Sequence, residues 1–278
     1  MNICIDRQLT LSLFRWLPSG GPHQGVPILM YHSVSDEQET VAPYYRLATD
    51  PRRFAEQMQW LDDSGYVGLS LEEALRFIDD VRPDGRLPVA ITFDDGYRNF
   101  YTTAWPILRA RGFAATVYLP TRYIGSETKT FLGRSCLTWV EVRELQAQGV
   151  HFGSHTVSHP VLQDLSMDLV ESELRFSKES IEDALGQKVT GFAYPYAFPQ
   201  EDRAFSNRLV DRLRECGYET CVTTIIGRAH AAGEFLRLKR LPVNSCDDRD
   251  LFMAKLRGCY DWVGSAQCAV RHLKRICK

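Results

Sequence analysis

Short apolar runs of strand length alternate along almost the whole chain with longer stretches whose apolar residues recur every three or four positions. The runs predict strands over Val26–Tyr31, Leu87–Phe93, Ala115–Leu119, Val150–Gly153, Val189–Ala193, Tyr218–Thr223 and Phe235–Leu241. Between them the helix starts are marked. Asp50 before Pro51 supplies an N-cap and a proline at the first helical position, after which Phe54, Met58 and Leu61 share one face. Ser70 with Glu73, and Thr138 with Glu141, have the spacing of capping boxes. Ser166 opens a long helix through about Leu185, which Gly186 ends. Repeated strand–helix units place parallel strands inside and helices outside. About seven of them predict an α/β fold, a distorted or partly open (β/α)7-type barrel with its chemistry at the C-terminal ends of the strands. Ser19-Gly20-Gly21-Pro22 separates an N-terminal segment, 1–25, from a single domain over 26–246; residues 247–278 read as a helical, peripheral extension.

Composition narrows this picture. A 44% hydrophobic content suits a sizeable core, and a net charge of −2 gives no bulk electrostatic reason to expect a nucleic-acid partner. The local cluster Arg237, Lys239 and Arg240 is interrupted by apolar residues and reads as a solvated face. Eight cysteines, at 4, 136, 216, 221, 246, 259, 268 and 277, show no Cys-x-x-Cys pair, as expected for reduced thiols in a cytosolic protein. Met1 to Pro18 contains Asp6, Arg7 and Arg15 and lacks the apolar core of a signal peptide. No stretch reaches the roughly 18 apolar residues of a membrane span. The expected location is therefore cytoplasmic.

Two clusters carry the chemistry. Thr92-Phe93-Asp94-Asp95-Gly96 puts adjacent carboxylates at the end of an apolar strand, and His155-Thr156-Val157-Ser158-His159 puts two imidazoles four residues apart after another. Adjacent carboxylates repel unless a cation compensates, and Gly96 allows a break that turns both inward. Taken alone, Asp95-Gly96 is also an ordinary acidic turn. The His-x-x-x-His spacing places both rings on one face of a helical turn, or leaves one histidine in the core and one at the surface. Together, one carboxylate and two histidines make a three-ligand metal site with open positions, leaving the other carboxylate to act as a base on water. His32 ends the first strand, where it is either a catalytic group or a rim histidine bonded to the backbone; His151 lies within a strand and reads as structural. Tyr194-Pro195-Tyr196 ends another strand, as a turn or as aromatics for a sugar face.

Thr92-Phe93-Asp94-Asp95-Gly96, His155-Thr156-x-x-His159 and Phe192-Ala193-Tyr194-Pro195-Tyr196, in this order, resemble the polysaccharide deacetylases, the NodB-homology carbohydrate esterases. The resemblance runs from about Pro27 to Val243. It implies a distorted (β/α) barrel, with Asp94 as general base and Asp95, His155 and His159 holding a divalent metal, usually zinc. Two departures stand out. The family's third motif usually carries an arginine that orients the base, and here that position is Tyr194. The usual acid histidine of a C-terminal strand is missing too, since His230 and His272 lie in other contexts. Tyr31-His32 and the Tyr-Pro-Tyr turn look like the poly-N-acetylglucosamine deacetylase branch, which makes His32 the general acid. Arg240, grouped with Tyr194, Pro195 and Tyr196 as substrate-binding, replaces the missing arginine. The implied activity is metal-dependent removal of N-acetyl groups from N-acetylhexosamine units of a glycan. Another amide substrate, a lipid-linked sugar or a small amide, and a non-catalytic carbohydrate-binding role are the alternatives.

Overall fold

The structure, a computed structural model, describes residues 5–14, 25–37, 39–41, 46–78, 80, 82–230 and 234–276; the side chains of Ile5 and of residues 270–276 lie outside the description. The Ser19–Pro22 break, Cys4 and Cys277 fall outside the described residues as well.

Seven parallel strands form the centre: β1 (Ile28–Tyr31), β2 (Leu87–Phe93), β3 (Thr116–Leu119), β4 (His151–Ser154), β5 (Gly191–Ala193), β6 (Thr220–Ile226) and β7 (Leu238–Pro242). Their order is β1-β7-β6-β5-β4-β3-β2, and β1 pairs with β2 as well as β7, so the sheet closes. It is a distorted (β/α)7-type barrel. The β4–β5 ladder has a single aligned pair, Phe192 with Ser154, and the β6–β7 register shifts between Val222 and Ile226. All seven expected runs overlap one of these strands, offset by one to three residues at several ends. The largest offsets, three residues each, are at the end of β6 and at Phe235–Arg237, a 3-10 turn ahead of β7. Periodicity did not reveal Tyr66–Leu69, a strand too short to show a pattern, which pairs with the first half of β2.

The two-residue alternation of strands divides the core. Ile28, Ala90, Tyr118, Ala193, Val222 and Leu238 form one buried cluster, with the helix Leu71–Leu75 packed against it. Their strand neighbours Leu29, Ile91, Val117, Phe192, Cys221 and Leu241 join the larger cluster shared with the outer helices. The first set fills the barrel. Counting on by twos from Ala90 reaches Thr92 and Asp94, and from Leu238 reaches Arg240, which is how the barrel receives them.

The outer helices begin as expected. Asp50 accepts from the Arg52 and Arg53 N–H groups ahead of Pro51–Asp63, both capping boxes form, and Ser166 caps Met167–Leu185. The residues after Asp247 are helical, but they are not peripheral. In Arg249–Leu256, Leu251, Phe252 and Met253 join the main core, and the buried Lys255 donates to Asp247 and to the Pro242 carbonyl, each at 2.6 Å. No helix among the described residues is long and apolar enough to cross a membrane.

Candidate active site

The C-terminal mouth of the barrel opens into a cavity of about 770 Å3 whose walls include His32, Asp94, Asp95, His155, His159, Tyr194 and Tyr196. These residues come from the ends of β1, β2, β4 and β5, so the strand ends bring together groups spread over more than 160 positions.

Asp94 and Asp95 are both 3% exposed, yet their surroundings differ. The Asp94 backbone N–H still donates to Tyr31 O, continuing the strand, and both its carboxylate oxygens receive a guanidinium N–H from Arg240 at 2.7 Å. Arg240 is fully buried; it also donates to Thr223 O at 3.0 Å and to Thr92 Oγ at 3.3 Å, and Thr92 Oγ donates onward to Leu29 O. Arg240 therefore belongs neither to a solvated face nor to the substrate-contacting wall, because its position inside β7 aims it under Asp94. Burial alone pushes Asp94 up. The Arg240 charge, His155 and the paired hydrogen bonds outweigh it and hold the carboxyl well below its ordinary value.

Asp95 turns away from this clamp. Its φ of 70°, followed by 59° at Gly96, breaks the strand and brings its carboxylate to the two histidines. Asp95 Oδ1 lies 3.6 Å from His155 Nε2 and 3.5 Å from His159 Nε2. One atom from each of the three residues falls within a 4.8 Å group. Asp95 Oδ1 is buried with no hydrogen-bond partner. Burial and the neighbouring Asp94 charge push Asp95 up to about 7. Burial pulls His155 down to about 4, and burial together with His155 pulls His159 to about 3. Neutral imidazoles are the ligand form, and an orphaned carboxylate oxygen between them fits a divalent cation. The Ala193 carbonyl, 2.7 Å from His155 Nδ1, directs the other ring nitrogen inward.

Residues 155–160 form a loop rather than a helical turn. The loop is held from below. Glu173, on the helix Met167–Leu185, accepts from the Val157 and Ser158 N–H groups at 2.8 and 2.9 Å and from Ser158 Oγ at 2.7 Å. Thr156 Oγ accepts from the His159 N–H at 2.9 Å. Among the described residues, the non-glycine positions with positive φ are Asp95, Leu132, Thr156, His159 and Tyr196, all in or beside this cavity. Such clustering of costly backbone marks a site that the surrounding structure over-determines.

His32 Nε2 stands 4.0 Å from Asp94 Oδ2, with its side chain 20% exposed, and burial pulls it down to about 4. Tyr194 is buried against Phe198, Pro195 is buried outside the cavity wall, and Tyr196, half exposed, sets its ring edge-on to His159 at 4.6 Å. His151 stays apart, 40% exposed and 4.0 Å from Glu72. Sequence reasoning passed over Glu173 and Thr92, and also Trp262, Val263, Ala266 and Gln267, which line the cavity from the helix Trp262–Ile276. A carboxylate in the middle of a helix, a strand threonine and a helix face give no sign in sequence of where they dock.

The comparisons with known proteins agree with this geometry. The family model described as "Polysaccharide deacetylase" matches residues 82–221. YxkH of Bacillus subtilis (strain 168), which carries a polysaccharide deacetylase name, is 30% identical over 230 residues, 82% of this chain and 75% of that protein. Poly-beta-1,6-N-acetyl-D-glucosamine N-deacetylase of Escherichia coli (strain K12) is 30% identical over 164 residues, 54% of this chain but 23% of that longer protein. Among solved structures, the Streptococcus pyogenes deacetylase PplD in complex with acetate superposes with a TM-score of 0.70 at 28% identity, covering 84% of this chain and 98% of that one. This chain belongs to the polysaccharide deacetylase family.

Proposed function

We propose that this chain is a divalent-metal-dependent hydrolase that removes N-acetyl groups from N-acetylhexosamine units of an oligo- or polysaccharide. The observation that carries the reading is the pairing of two unlike carboxylates: Asp94 clamped by Arg240, and Asp95 beside two neutral histidines with an oxygen left unpartnered. A bound cation, zinc by the mixed nitrogen and oxygen donors of Asp95, His155 and His159, would polarise the acetamide carbonyl and acidify water.

The chain's own groups supply the proton movements. Asp94, ionised and fixed in direction by two hydrogen bonds, takes a proton from the attacking water as the carbon–oxygen bond forms. The carbon–nitrogen bond then breaks, and the sugar amine leaves with a proton from His32. Burial keeps His32 neutral at rest, so the proton it delivers is the one Asp94 has taken, 4.0 Å away. Acetate and a free amine result, and both side chains return to their starting charges. Tyr196 offers an aromatic face at the rim for the sugar ring. A purely binding protein has no use for a base held ionised at the cavity floor, which favours catalysis.

The test is acetate release from N-acetylglucosamine oligomers, with zinc and with chelator. Release that depends on zinc supports the reading. Asp94→Asn should lose at least about a thousandfold in turnover, the upper part of the range for an essential base, while its bound-zinc content stays at one equivalent. Full turnover in that variant would remove Asp94 from the mechanism.

A further inference from the structure

The cavity has two unlike sides. One holds the carboxylates and histidines. The other is built from the ends of β1 and β7 and from the helix Trp262–Ile276, and it is apolar: Met30, Pro242, Val243, Trp262, Val263 and Ala266. Most polar groups on this side are engaged within the protein, and among the described residues Arg46 Nε and Gln267 Oε1 are the buried lining atoms here left without a hydrogen-bond partner, too few for a run of hydroxyls. Asn244 donates from its side-chain nitrogen to Arg46 O and accepts from Cys246 N–H, and Thr224 accepts from Phe198 N–H at its hydroxyl and from Gln267 at its carbonyl. A saccharide extended along this wall would bury hydroxyls with few partners, which is unfavourable.

The wall is anchored. Gly264 is buried against the end of β6, where a Cβ would collide with Ile226 O, so the helix rests on the strand by backbone contact. Trp262 stacks on Phe14 at 4.8 Å and donates its indole N–H to the buried Thr10 Oγ at 3.1 Å. The apolar surface is thus preformed beside the reacting groups, not a loose tail laid over them.

Resting on the deacetylase reading, we infer that this wall is a subsite for a hydrocarbon aglycone, so that the substrate class is a lipid-linked N-acetylhexosaminide. The sugar sits with its acetamide at Asp94 and Asp95, and the chain attached to it runs along Val243, Val263 and Ala266. Burial of methylenes on this wall stabilises the complex in proportion to chain length, until the wall ends.

The experiment compares octyl and methyl glycosides of N-acetylglucosamine, below micelle-forming concentrations, by kcat/KM for acetate release from the zinc-loaded protein. The octyl glycoside should be favoured at least tenfold, equivalent to about 1.4 kcal/mol. In Val263→Asp that ratio should fall to about one. Ala266→Phe, which keeps the wall apolar but fills it, should move the optimum to a shorter chain such as butyl. Acetate release with a ratio near one in the unaltered protein, or an unchanged chain-length profile in Ala266→Phe, overturns the subsite and leaves the deacetylase standing. If no glycoside releases acetate, the deacetylase reading itself fails, and the subsite is decided by calorimetry on Asp94→Asn. Octyl glycoside binding at least tenfold more tightly than methyl sustains it, and equal binding overturns it.

Discussion

Two carboxylates one residue apart are given opposite fates by what lies beneath each. Asp94 has a guanidinium for a partner and stays ionised; Asp95 sits beside two neutral rings, and its burial and the neighbouring negative charge outweigh Tyr97 and the more distant arginines. Removing Arg240 should therefore be severe. Arg240→Gln leaves Asp94 buried without its countercharge, and a stability loss of about 3–5 kcal/mol is expected from chemical denaturation. Asp94→Asn in the same chain should recover part of that loss, because a neutral amide needs no cation, and the double-mutant cycle measures the coupling. The histidines set a pH dependence for the zinc-free protein. His32, His155 and His159 have folded values of about 4, 4 and 3 against 6.5 when unfolded, so they take up protons on unfolding and lose stability as pH falls from about 6.5 toward 4. Asp95, raised to about 7, has the opposite sign, leaving a net of two protons taken up. Denaturation midpoints of chelated protein should fall across that window; a flat profile would sink this account. At this scale the sequence was informative: the residue types and spacing of the two clusters pointed to the carboxylates and histidines that meet in the cavity. What Arg240 touches was less legible: its charge alone suggested solvent, the resemblance suggested a stand-in for the missing arginine, and its place on the inward side of β7 puts it under Asp94.

Single elements explain how these groups hold still. The loop bearing His155 and His159 has little regular structure of its own; Glu173, from the helix packed beneath it, supplies three of its hydrogen bonds. Glu173→Ala is expected to weaken zinc binding about 10–100-fold by loosening the ligands, with a small loss of global stability, as read by competition with a chromogenic chelator. Strand and helix starts were largely written in the sequence, because caps and apolar runs are local signals: Leu87–Phe93 and Met167–Leu185 appear where the pattern put them. The short strand Tyr66–Leu69 and the loop conformation at 155–160 were hidden. The first is too brief to show a period, and the second is decided by a partner sixteen residues away.

On the scale of the whole molecule, closure of the barrel makes one site from strand ends scattered in sequence. β1 and β7, far apart along the chain, pair at Leu29–Leu241 and Met30–Pro242, which carries Arg240 to Asp94 and His32 to the same mouth. A site assembled only in the folded state should couple ligand to fold. Zinc at about a hundred times its Kd is expected to add about 2.7 kcal/mol to stability, and the rise in Tm should vanish in His155→Ala. Alternating strand and helix patterns were enough to indicate this architecture. They did not show that the segment after Asp247 packs into the core and walls the cavity, since amphipathic periodicity tells which face is buried but not against what.

The left-handed backbone at Asp95, Thr156, His159 and Tyr196 has a consequence for how this sequence can change. Glycine or asparagine would adopt those angles at lower cost, and at Asp95 either would also remove a buried acid. Heat-challenge selection without a functional screen should therefore enrich replacements at these positions, yielding hardier barrels that have lost their chemistry. On the proposed function, these residues persist in an unfavourable conformation because turnover, rather than folding, is what retains them.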